Sequence, residues 1–138
     1  MPSSDSQLDA LGVIHYVLAG FVALFGLMPL IHVAMGLGMV SGHFPFGPPG
    51  HARPEFPPMF GWFFVVFGAL FILAAQAMAV TLAVAGTYLR QRRRWLFCVV
   101  VDAIACSMFP FGTALGVVTL VVLSEPEVKA RFSLPVTT

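Results

Sequence analysis

Charge is what this chain has least of. Among its 138 residues 9% are Asp, Glu, Lys or Arg, 59% are hydrophobic, and mean hydropathy is +0.93. Soluble domains carry roughly 25% charge, so the composition predicts one membrane domain. Four of the seven basic residues lie in Arg90-Gln91-Arg92-Arg93-Arg94, which leaves no extended basic face for nucleic acid. Asp5 and Asp9 occupy the N-terminal stretch with no Lys or Arg. The positive region of a secretory signal peptide is thus missing, and the first apolar segment is expected to stay in the mature protein. Cysteine is scarce as well. Cys98 and Cys106 lie on one predicted helix, separated by about 12 Å of helical rise, too far to bridge, and read as buried thiols. With no Gly-rich phosphate loop, no HExxH and no Ser-His-Asp set on a plausible scaffold, no catalytic activity is expected.

Long uncharged runs fill the space that charge leaves. Met59 to Thr87 carries no formal charge, exceeds the roughly 20 apolar residues that span a bilayer, and has Trp62 and Tyr88 near its ends. The arginine cluster after it predicts a cytoplasmic turn, because Lys and Arg in short loops beside a span stay on that side. Leu11 to Val40 is apolar except at His15, Pro29 and His32, and as a straight helix would measure about 45 Å against a core of roughly 30 Å. Pro29 is the expected kink. Six prolines between Ser41 and Pro58 predict an extracytoplasmic loop, with Phe44, Phe46 and Phe56 on the membrane surface. Trp95 to Leu123 forms the third segment, interrupted by Asp102 and Pro110-Phe111-Gly112. Ser124-Glu125-Pro126-Glu127 resembles a capping box that opens a short amphipathic tail helix with Val128 and Phe132 on one side.

The expected fold is all-α, a single domain over 1–138. Three transmembrane helices at about 8–40, 59–89 and 95–123, the first and third kinked at Pro29 and Pro110, are joined by the loop 41–58 and followed by a tail helix at 124–132. The N-terminus is then cytoplasmic. A single third span would place Lys129 and Arg131 outside, against the positive-inside tendency. A re-entrant third segment would return the tail and remove that conflict.

At 100° per residue, Gly61, Gly68, Ala75, Ala79, Ala83 and Gly86 align on one face of the central helix. Gly12, Ala19, Ala23 and Gly26 do the same on the first. Small-residue seams let membrane helices approach closely, so these two are expected to pack on one another or on neighbouring copies.

Four polar residues lie inside the apolar segments: His15, His32, Gln76 and Asp102. Asp102 is the one formal charge there, an expensive group unless paired. His15 lies at a similar helical distance from the cytoplasmic side, so a His15 to Asp102 hydrogen bond is expected as a helix-to-helix tie. His32 is expected to bond a carbonyl freed at Pro29, and Gln76 to bond across to another helix. His15 and His32 are about 25 Å apart by rise and cannot clamp one haem iron. A loop metal at His43 and His51 lacks cysteine or paired acids. No cofactor and no metal are expected.

Segments one and three echo each other. Tyr16 precedes Pro29 by the same thirteen residues that separate Phe97 from Pro110. His15-Tyr16, Met28-Pro29-Leu30-Ile31-His32 with Gly36, Gly61-Trp62-Phe63, the Arg-rich turn before Phe97-Cys98, Pro110-Phe111-Gly112-Thr113-Ala114-Leu115-Gly116-Val117 and Pro126-Glu127-Val128-Lys129 together resemble a group of small bacterial inner-membrane proteins of unassigned function. The likeness runs from His15 to Phe132. It implies a bacterial inner-membrane location and no catalytic residue.

The function expected is that of a structural or accessory subunit, assembling with copies of itself or with other membrane subunits in the bilayer. A small ion or proton channel or transporter using Asp102 and His15 is the alternative. A haem carrier with histidines from different chains is a further one.

Overall fold

In a computed structural model, residues 4–43, 57–107 and 111–133 are described. All regular structure among them is helical: α1 Ser4–Phe25, α2 Leu30–Val40, α3 Pro58–Gln91, α4 Trp95–Ala105, α5 Phe111–Ser124 and α6 Pro126–Ser133. Two helical stretches, Ser6–Val40 and Pro58–Gln91, are long and apolar enough to cross a membrane. Most of the proline-rich loop and Pro110 lie outside the described residues.

The first long stretch is interrupted where proline removes a donor. Between Phe25 and Leu30 the backbone bonds shorten to the tighter pattern, Leu27 N to Leu24 O at 3.2 Å and Met28 N to Phe25 O at 3.0 Å. The stretch expected over 8–40 as one helix kinked at Pro29 is thus divided by a turn at 26–29 into α1 and α2.

Two compact units result, one of Val22–Ala77, the other of the residues up to Phe21 and from Met78 onward. In the unit 22–77, α2 and the end of α1 run antiparallel to α3. Gly36 meets Gly61, Val33 meets Gly68, and Gly26 meets Ala75. A Cβ on Gly36 would come within 2.6 Å of the Gly61 carbonyl, and one on Gly26 within 2.6 Å of the Ala75 methyl. Gln76 Nε2 donates to Ala23 O at 2.9 Å.

The other unit builds its core from five helices. Leu8 and Leu11 of α1, Leu89 of α3, Cys98 of α4, Leu115 and Leu123 of α5 and Val128 of α6 form one buried cluster. α3 ends in a Schellman turn, with Arg93 N on Tyr88 O at 3.0 Å and Arg92 N on Leu89 O at 3.3 Å. Arg92 takes the left-handed position at φ 51, where glycine is usual. Arg94, at φ 53, ends the turn just before α4.

One expectation is corrected here. Trp95 to Leu123 is not a single helix: α4 and α5 fold back as an antiparallel pair. Trp95 Nε1 donates to Leu123 O at 3.0 Å, Thr113 Oγ1 donates to Cys106 O at 2.6 Å, and Gly116 lies between them against the Asp102 carbonyl. At 11 and 14 residues the two helices measure about 16 and 21 Å, each short of a roughly 30 Å core. The tail thus returns to the arginine turn. Lys129 Nζ sits 4.7 Å over the Trp95 ring and Arg94 lies 5.8 Å from the Tyr88 ring centroid. The capping box is corrected too: Ser124 Oγ donates back to Leu120 O at 2.6 Å, and α6 opens at Pro126 with Glu125 O accepting from Lys129 N.

Candidate functional site

The most polar point buried in these apolar helices is built from α1, α3, α4 and α5. α1 and α3 touch where neither has a side chain: a Cβ on Gly12 would lie 2.9 Å from Gly86 O, and a Cβ on Gly86 the same distance from Gly12 O and 3.0 Å from the His15 Cβ. That approach leaves His15 wholly buried, one turn beyond Gly12. Its Nδ1 donates to Leu11 O at 2.8 Å, and its Nε2 stands 2.8 Å from Asp102 Oδ1. Asp102 is also wholly buried. α5 packs against the backbone of this turn of α4, with Gly116 so close that a Cβ would come within 2.6 Å of the Asp102 carbonyl and of Cys106 Sγ. Asp102 Oδ2 is buried and has no hydrogen-bond partner among the described residues.

Cysteines flank this pair without joining it. Cys98 Sγ, a turn before Asp102, donates to Ala85 O at 3.8 Å, and Cys106 lies half-buried a turn after. Thr119 of α5, wholly buried, donates to Leu115 O at 2.9 Å. No three His, Cys, Asp or Glu side chains among the described residues are placed to share a metal ion. Both His15 nitrogens are engaged, so iron ligation by His15 would have to break the bond of whichever nitrogen bound the metal.

Close by, a second polar contact ties α1 to α3. Thr87 Oγ1 donates to Ala83 O at 3.0 Å and so accepts from Tyr16 OH at 2.8 Å. Tyr16 and Thr87 line an open cleft of about 390 Å³ with Asp9, Arg90 and Gln91.

The remaining sequence-predicted positions divide by unit. Ala19 and Ala79 are buried and Ala83 is half-buried. Gly61, Gly68, Ala75, Ala23, Gly26 and Gln76 make the contacts of the unit 22–77 given above. His32 is corrected: it makes no hydrogen bond among the described residues and instead stacks on Phe64, ring centroids 6.1 Å apart. His43 Nδ1 donates to Ser41 O at 2.9 Å, while His51 lies outside the described residues. Two packing glycines were missed, Gly36 and Gly116. Gly36 stands out only as a small residue on a short helix, and Gly116 acquires its role only when α5 folds back on α4.

No family model, curated protein or solved structure matches the chain. What defines its class is geometry: an all-helical protein with two stretches able to cross a membrane and a buried imidazole–carboxyl pair.

Proposed function

We propose that this is a small polytopic protein of the bacterial inner membrane, with a cytoplasmic N-terminus, that serves as a structural or accessory subunit, assembling with other membrane subunits or with copies of itself. One observation carries the reading. In the most apolar windows of the two long stretches only 17% and 11% of residues are buried within the chain, whereas the core helix of a soluble protein is mostly buried. Side chains such as Leu24, Phe63, Phe67, Leu73 and Val80 stand more than half exposed. Such surface is costly in water, at about 25 cal/mol per Å², and calls for lipid or another apolar helix. The polar groups point the same way: Gln76, Thr87 and Thr119 are spent on bonds within the chain, which suits a scaffold better than a catalyst.

The topology proposed is two spans, the first kinked at Pro29, followed by a re-entrant α4–α5 hairpin that keeps the tail cytoplasmic. Lys129 and Arg131 then lie on the same side as the arginine turn, in keeping with the positive-inside tendency.

Since Gly12, Gly26, Gly61, Gly68 and Gly86 are used inside the chain, docking must use other faces. Gly20 has nothing within 4 Å and is the point on α1 where another helix can come closest. Native mass spectrometry of the protein gently extracted from its own membrane tests the reading. Assemblies with other subunits or further copies are expected, lost on Gly20→Leu while the chain stays folded. An isolated monomer in every preparation would overturn it.

A further inference from the structure

The bonds of His15 fix how many protons the pair with Asp102 carries. Leu11 O can only accept, so Nδ1 is the protonated nitrogen that donates to it at 2.8 Å. Nε2 and Asp102 Oδ1 are likewise 2.8 Å apart, and that contact needs a proton between them. Without one, a nitrogen lone pair would face a carboxylate lone pair where no water reaches either atom. With one, the pair is imidazolium with carboxylate or imidazole with carboxylic acid, and is net neutral in both forms. Beside this bond lies the unpartnered, buried Oδ2, an acceptor left open on the same carboxyl group.

We propose that His15 and Asp102 form a reversible proton-binding site that controls how firmly α1 is tied to the α4–α5 hairpin. On the acid side a proton from hydronium forms an O–H bond at Oδ2, releasing water, while Nε2–H continues to donate to Oδ1; the pair gains one positive charge. On the alkaline side hydroxide removes the proton of the Nε2···Oδ1 bond as water. The pair then carries one negative charge, and the two lone pairs repel. Each change charges a buried site, so the tie is strongest at intermediate pH.

Few other titratable or charged groups surround the pair. From α4, Cys98 and Cys106 lie one turn to either side, with the Cys98 thiol bonded to Ala85 O. From α3, the Gly86 backbone covers His15, and the nearest charged residue is Arg90, whose stem lies against Gly12. On α1, Asp9 lies almost two turns before His15 and is exposed. α5, which places Gly116 against Asp102, has no titratable side chain. The inference rests on the pair's geometry and does not depend on the assembly proposed above.

The test follows thermal unfolding of the full chain in lipid nanodiscs from acid to alkaline pH, with ¹⁵N spectra of labelled histidine assigned against His15→Gln. The wild type is expected to show a stability maximum that falls on both sides, with His15 Nε2 shifting as it falls. Asp102→Asn keeps an N–H for Nε2 and has no carboxyl proton to lose, so its alkaline fall should disappear. Superimposable profiles for wild type and Asp102→Asn would overturn the proposal. If that variant does not fold, the wild-type spectra decide: His15 nitrogens invariant over the whole folded range would reduce the pair to a fixed tie.

Discussion

His15 and Asp102 are each costly alone and inexpensive together. Removing one partner of a buried hydrogen-bonded pair costs about 3–5 kcal/mol, because the other is left unpaired. Asp102→Ala is therefore expected to destabilise the chain by that amount at neutral pH, and Asp102→Asn by less than half of it, as measured by denaturant unfolding in one detergent. Equal losses for the two would mean that the bond to His15 contributes nothing. This bond was legible in the sequence because both residues break apolar runs at matching helical distance. The unpartnered Oδ2 was not, since it depends on how the helices around Asp102 pack in three dimensions. Nor was the engagement of Nδ1 by Leu11 O, one turn back on the same helix.

Between helices, glycine decides how near two backbones come. At Gly12 and Gly86 an added Cβ would meet a carbonyl oxygen at 2.9 Å, so α1 and α3 would have to separate. Gly86→Val is expected to cost about 1–3 kcal/mol as an overpacked contact and to disturb the His15 bond beside it. Gly20→Val, on the open face of the same α1, should leave unfolding unchanged within about 0.5 kcal/mol. Thermal unfolding of both variants side by side checks the pair. The hairpin permits a sharper test: Trp95→Phe keeps an aromatic ring, though a smaller one, but loses the N–H to Leu123 O, a bond worth about 1 kcal/mol. If Trp95 and Leu123 were the far ends of one helix, that substitution would lose no hydrogen bond to Leu123 O. Small-residue periodicity was readable because it is local to each helix. The reversal of α4 into α5 was not, because a Pro-Phe-Gly interruption serves a kink or a turn equally well, and the outcome is set by contacts such as Asp102 with Gly116 that join residues far apart in sequence.

For the molecule as a whole, the return of α5 to the start of α4 has the largest consequence, since the proposed topology, with the tail on the side of the arginine turn, rests on it. Six of the seven basic residues, Arg90, Arg92, Arg93, Arg94, Lys129 and Arg131, then share one face of the membrane. A third full span would divide them. The most direct measurement is a reporter fused after Ser133 in cells, read once with a fluorescent protein that matures only in the cytoplasm and once with a phosphatase active only outside it. Fluorescence without phosphatase activity is the predicted result. Phosphatase activity without fluorescence would contradict the hairpin and restore a third crossing.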